Sequence, residues 1–234
     1  MIKVFIGGEC SGRVRQALVR RGAWVVSCDL KPAEDGVGKP TSYASGHWIG
    51  DMCDVVDYLY EMQLEFDVGL WHPECIYLTN SAAWAYGDGP YHQRVKPGTL
   101  TGQARRAARE EQLRYVERIG RLPIPRKILE NPAQGALSAR IGAPSQVVQP
   151  YMFGDDASKA TGLWLHQVRP LEIPPIAQWA PPRLVGGRPR WSNQTDSGQN
   201  RLSPGEHRAA DRSRTYPGIA EALADAIMRS CGAA

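Results

Sequence analysis

Four short stretches carry residue types that can do chemistry. Cys75 follows His72-Pro73-Glu74 just past an apolar run. A cysteine there either packs in the core or, as a thiolate, attacks an electron-poor carbon. Glu130-Asn131, ahead of Pro132, offers a carboxyl group that can hold a ring nitrogen and exchange a proton with it, or simply makes a turn. The turn GGECSG (7–12) gives a ligand close access to backbone. Asp29 suits a pair of ribose hydroxyls, and Asp51 an exocyclic amine. Asp29 also reads as a turn residue, and Asp51 with Asp54 as helix caps. The turn is neither G-x-G-x-x-G nor a P-loop, because Arg13-Val14 stands where Lys-Ser/Thr is required.

The elements that position these residues alternate. IKVFI (2–6) reads as a buried strand and Arg13 to Arg21 as an amphipathic helix, with Val14, Ala17 and Leu18 inward and Arg13, Arg15, Arg20 and Arg21 outward. Residues 23–28 form a second strand ending at Asp29, 48–52 a third, and 66–71 a fourth with Cys75 beyond it. Helices are expected over 55–62 and 103–119, with residues 79–100 a loop between. Residues 127–129 form a fifth strand running into Glu130, and later strands follow at 146–148 and 162–165. A Pro-, Gly- and Arg-rich stretch from 174 to 204 precedes a last helix near 218–228. Strands alternating with helices predict an α/β fold with a mostly parallel sheet, whose ligands lie outside the carboxyl ends of the strands. At those ends stand the glycine turn, Asp29, Asp51, Cys75 and Glu130, the outline of an adenosine site beside a nucleophile.

Bulk properties narrow the class. The chain has 234 residues, 42% hydrophobic and 22% charged, with a net charge of +4 that permits nucleic-acid binding. No apolar run reaches the ~20 residues needed to span a bilayer, and the start lacks a signal-peptide pattern. A cytoplasmic protein is expected, without membrane partners. Its five cysteines, Cys10, Cys28, Cys53, Cys75 and Cys231, show no C-x-x-C or Cys/His spacing, so neither a metal site nor a disulfide framework is expected.

In order, FIGGECSG (5–12), Asp29, GDMCD (50–54), HPEC (72–75) and LENP (129–132) resemble the DNA cytosine-C5 methyltransferases, in particular the short phage-encoded ones. The resemblance continues through 153–165, 191–200 and 213–227. It implies a Rossmann-like fold binding S-adenosylmethionine, in the cytoplasm of a phage or its bacterial host. Cys75 would add to carbon 6 of a flipped-out cytosine, Glu130 would hold and protonate the ring, and Asn131 would position that loop. The cofactor would lie against Phe5, Gly7, Gly8, Glu9, Ser11, Gly12, Asp29, Leu30, Asp51, Met52 and Pro73. A short cytosine-containing DNA site would be met by Lys159, Thr161, Arg105, Arg106, Asn193 and Gln194. Tyr77, Trp84, Tyr86 and Tyr91 are candidates to close over the base or fill its gap.

The implied organisation is a catalytic core at 1–173, a much reduced target-recognition segment at 174–212, and a C-terminal helix returning to the core at 213–234, in a monomer. Arg183, Arg188, Arg190, Asn193, Gln194, Gln199, Asn200 and Arg201 supply base-reading side-chain types. Two other readings share this outline. One is C5 modification of a free cytosine nucleotide or RNA. The other is a catalytically impaired methyltransferase-fold module that binds DNA, which Glu74 favours by standing where the family usually has proline.

Overall fold

Alternation along each strand divides the core in two. Val4 and Ile6 of β1 (Lys3–Gly7) face one side and Phe5 the other; Val25 of β2 (Trp24–Asp29) opposes Val26 in the same way. Both faces are apolar, so both must be covered, which is why these strands read as continuous hydrophobic runs. The computed structural model describes residues 1–80, 82–201 and 214–232. Residues 202–212 of the expected recognition segment, and Ser213, lie outside the described residues.

The main sheet has seven strands in the order β3-β2-β1-β4-β5-β7-β6. Strands β1, β2, β3 (Gly46–Ile49), β4 (Val68–Trp71) and β5 (Arg126–Pro132) run parallel. β7 (Thr161–His166) is antiparallel to both β5 and β6 (Gln146–Val148). Helix α1 (Arg13–Arg20) and a C-terminal helix cover one face; α2 (Met52–Glu61) and α3 (Gly102–Arg121) cover the other. A six-residue helix, α4 (Ala136–Ile141), follows β5, and α5 (Pro217–Ser230) is the C-terminal one. α5 returns onto α1, where Arg20 and Arg21 pair with Glu221, and Arg21 also with Asp225 at 2.7 Å. This is the Rossmann-like, mostly parallel α/β fold expected from the sequence.

Several local expectations change. β3 ends before Gly50, because Asp51 caps α2. Arg15 does not face outward: it is 4% exposed, donates to Ser27 Oγ at 2.9 Å and pairs with Asp35 at 2.8 Å. The Pro/Gly-rich stretch is not structureless. It forms an antiparallel ribbon, β8 (Arg183–Val185) and β9 (Arg188–Arg190), turning at Gly186-Gly187.

Candidate active site

The order of strands reverses at β1, which pairs with β2 on one side and β4 on the other. At such a switch point the connections leave in opposite directions and open a crevice at the strand tips. Gly8 adopts φ 77°, and its amide and that of Glu9 both donate to the Cys28 carbonyl, at 2.7 and 3.2 Å. Any Cβ on Gly8 would lie 2.3 Å from the His72 carbonyl oxygen, so glycine is required where the tips of β1 and β4 touch. The His72 amide donates to the Gly7 carbonyl at 2.8 Å, completing that junction.

Around the β1 tip the expected cofactor residues separate into two groups. Glu9 is 5% exposed; its Oε1 accepts from Ser11 and from the Arg13 amide, while Oε2 is buried without a partner among the described residues. Gly12, at φ 74°, closes the turn into α1. Asp29 ends β2, with Oδ1 taking the Lys31 amide, and Leu30 beside it is 75% exposed. Phe5 instead lies wholly in the core against Phe66 and Trp71, so its ring supports the cradle from beneath. Met52 packs at Gly7. Asp51 is the N-cap of α2: Oδ1 accepts the Cys53 and Asp54 amides, and Oδ2 the Tyr115 hydroxyl at 2.6 Å.

Cys75 sits exposed in a turn whose carbonyl accepts the Leu78 and Thr79 amides. This turn is clamped to the tip of β5 on both sides. Before it, Asn131 Nδ2 donates to the Pro73 carbonyl at 3.0 Å, and Asn131 is 2% exposed. After it, the Ala136 amide donates to the Leu78 carbonyl at 2.8 Å, and Thr79 bridges to Gly135. A Cβ on Gly135 would stand 2.0 Å from that carbonyl oxygen. The two clamps tie the thiol-bearing turn to the carboxyl end of β5, which carries Glu130-Asn131-Pro132.

Glu130 meets His72 and Lys159 there. Its Oε2 accepts from His72 Nδ1 at 3.1 Å. Because β7 runs antiparallel, its first residue, Thr161, lies opposite Pro132, and this delivers the preceding Lys159 to the carboxyl end of β5. Burial pushes the Glu130 carboxyl up, but Lys159 and His72 outweigh it and hold the group below the usual carboxylate range. Thr161 is 2% exposed and donates to the Lys159 carbonyl, so it fixes the lysine's backbone instead of facing a substrate.

The other thiols are poorer nucleophile candidates. Burial pushes Cys28 up to about 12 and Cys53 up to about 11, and it also raises Cys10 and Cys231. The arginines expected at phosphates are engaged nearer home. Arg105, 5% exposed, stacks on Tyr86 and Tyr77 and reaches the Leu100 carbonyl; Arg106 binds the Tyr86 carbonyl and Asp88. Arg109, expected with Arg105 and Arg106 at phosphates, stacks 3.4 Å from the Tyr86 ring centre and donates to the Tyr77 carbonyl. These contacts hold the loop after Cys75 onto α3. Asn193 donates to and accepts from the Ser158 backbone at 2.9 Å, and Gln194 accepts the Trp191 amide. Both stitch the polar segment together, next to Lys159, and neither is presented as a base reader. His72 had no role from sequence either, although it stands in the same four residues as Cys75.

Strand order and site together define a Rossmann-like α/β protein with a glycine turn at its switch point and with Cys75 and Glu130 at the ends of the next two strands. Among the described residues no His/Cys/Asp/Glu group is arranged to hold a metal, and no helix is long and apolar enough to cross a membrane. No family model and no curated protein matches the chain. Solved structures that resemble it include two methyltransferases. A candidate DNA modification methyltransferase encoded within an E. coli prophage is 12% identical, with a TM-score of 0.40 over 70% of this chain and 46% of that one. A SAM-dependent methyltransferase from Neisseria gonorrhoeae is 17% identical, with a TM-score of 0.38 over 70% of this chain and 60% of the other. The chain thus spans about half the length of these proteins, and its fold is defined by its own strand order.

Proposed function

We propose that the chain transfers a methyl group from S-adenosylmethionine to carbon 5 of cytosine in DNA. The observation that carries this reading is the double clamp: an exposed thiol turn fastened on both sides to the end of β5, which bears a half-buried carboxyl group, with the glycine turn of β1 one strand beyond. The residues at the β1 and β2 tips fit the cofactor. Gly8 and Gly12 shape the turn, their positive φ and close neighbours His72, Arg15 and Asp35 demanding glycine, while the orphan Glu9 oxygen awaits a donor, Asp29 suits ribose hydroxyls and exposed Leu30 an adenine face. Asp51 fits less well, because helix capping and Tyr115 already occupy its carboxylate. When bound, S-adenosylmethionine supplies an electrophilic methyl group.

The chain's own residues activate the ring. Carbon 5 of cytosine is a weak nucleophile. The Cys75 thiolate forms a bond to carbon 6, the displaced π pair moves toward N3, and N3 takes a proton from the Glu130 carboxyl group. Carbon 5, now enamine-like, takes the methyl group; departure of the carbon 5 proton to solvent, cleavage of the S–C6 bond and return of the N3 proton to Glu130 then restore the aromatic ring, the thiolate and the carboxyl group. A base inside a duplex cannot reach the crevice, so it must be flipped out, at a cost of a few kcal/mol. Lys159 supports the charge that builds on the ring edge, and the segment after 174 contacts the DNA of a monomeric protein.

Incubation with duplex DNA containing 5-fluorocytosine and S-adenosylmethionine tests this directly. The native chain should form a covalent complex, and Cys75→Ser should form none while melting at the same temperature. A free 5-fluorocytosine nucleotide or RNA trapped in place of duplex DNA would transfer the chemistry to that substrate. Cofactor binding without any trapping would leave a DNA-binding module with a silent site.

A further inference from the structure

His72 is locked from two directions. Its backbone is held at the β1 junction through the Gly7 carbonyl, and its ring, with the side chain 9% exposed, reaches across to β5. A carboxylate only accepts, so Nδ1 carries the hydrogen in the bond to Glu130 Oε2. The ring's other nitrogen, Nε2, is buried without a partner among the described residues. A core histidine kept for packing is normally bonded at both nitrogens or turned to water. Here one nitrogen forgoes a partner, and the bond that is kept goes to the one carboxyl group in the thiol–carboxyl site.

We propose that His72 is the positioning residue of Glu130, pinning Oε2 so that Oε1 is the oxygen offered to the ring edge of the substrate. The inference rests on the reading of Glu130 as the group that meets cytosine. The charged group that acts on Glu130 besides His72 is Lys159, ahead of β7, and Cys75 follows His72 by three residues. A freely rotating carboxyl group would present either oxygen, and a mis-set one costs roughly a hundredfold in rate when geometry is off by about 1 Å. His72 also favours the ionised carboxyl, together with Lys159 and against the opposing effect of burial. It therefore sets the pH at which Glu130 carries the proton it must give to N3.

The test compares His72→Phe, which keeps a ring but loses the donor, with His72→Asn, whose amide nitrogen can replace Nδ1. The Glu130 carboxyl is titrated by carbon NMR, assigned with Glu130→Gln, and methyl transfer is followed against pH. With Phe, the Glu130 midpoint should move up, and the alkaline limb of kcat/KM, along which Glu130 loses the proton it must give, should follow it to higher pH. The kcat should fall about 10- to 100-fold, with KM for DNA within about threefold. Asn should recover about tenfold of that loss. A Glu130 midpoint unmoved in a folded Phe variant overturns the proposal, as does an Asn variant whose Glu130 midpoint and kcat both follow those of Phe. If Phe does not fold, the Asn variant decides by the same two measurements. The NMR arm needs no reaction, so a midpoint that moves in a protein that methylates nothing would keep the pairing and discard the cytosine reading.

Discussion

The tips of the parallel strands and the polar segment after residue 174 are both rich in charged and amide side chains, yet they spend them differently. At the tips, position comes from the sheet. Glu9 is held by its own turn and keeps an orphan oxygen, and Cys75 stays exposed between two clamps. In the polar segment the side chains are the scaffold. Arg183 is taken by Asp196 and the Gln194 carbonyl, Asn193 by Ser158, and Trp191 stacks on Tyr151 at 4.0 Å. A two-stranded ribbon has no core of its own and is marginal alone, so it must staple itself with groups that would otherwise be available. Polarity alone therefore marks no site.

The sharpest way to break this contrast is to unclamp the rigid side. Gly135→Val puts a Cβ into the Leu78 carbonyl, 2.0 Å away, and only backbone movement relieves it. The loss should be roughly 3 kcal/mol of stability, at the upper end for a single strained backbone position. Methyl transfer should fall further than the folded fraction alone explains, because the Cys75 turn is released from β5. Thermal melts beside transfer rates normalised to folded protein check this. A rate that merely tracks the folded fraction would show that the clamp does not position the thiol.

A smaller effect is expected where side chains are scaffold. Asn193→Ala removes two bonds to Ser158, costing about 1 kcal/mol. It should loosen the segment leading to Lys159 and slow transfer a few-fold without altering which DNA sequence is modified. Bisulfite mapping of DNA from cells expressing the variant reads the sequence directly. A changed target with unchanged stability would reinstate Asn193 as a base reader.

Much of this contrast was legible before any coordinates. Parallel strands buried on both faces leave continuous apolar runs, so 2–6, 23–28 and 66–71 stand out, and their order puts Cys75 and Glu130 at successive tips. What was not legible depends on partners distant in sequence. Arg15 looks solvent-facing by helical spacing, yet Ser27 and Asp35 satisfy it in the interior. Nothing in TGLWLH tells that β7 runs against β5, and the approach of Lys159 to Glu130 follows from that direction alone. Asp51 carried two readings from the start; the cap is the one with hydrogen bonds to it here. The arginines of α3 seemed suited to phosphates because three of their partners, Tyr77, Tyr86 and Asp88, lie 18 to 32 residues earlier.

The smallest effect separates the two kinds of arginine inside the ribbon itself. Arg188 is exposed at the start of β9, just after the Gly186-Gly187 turn, whereas Arg183 is half-buried and held by Asp196. Removing an exposed side chain with no structural task changes stability by less than about 0.5 kcal/mol. If the ribbon lies against DNA, Arg188→Ala should lower affinity alike for all sequences and reduce the slope of log K against log salt by about 1, the share of one phosphate. Arg183→Ala should do the opposite, costing stability while leaving that slope in place. Binding isotherms at several salt concentrations, paired with melts of both variants, distinguish the two. Equal slopes for Arg188→Ala and the native chain would take the ribbon away from the DNA, and the contact surface would then have to be sought beside the Cys75 turn.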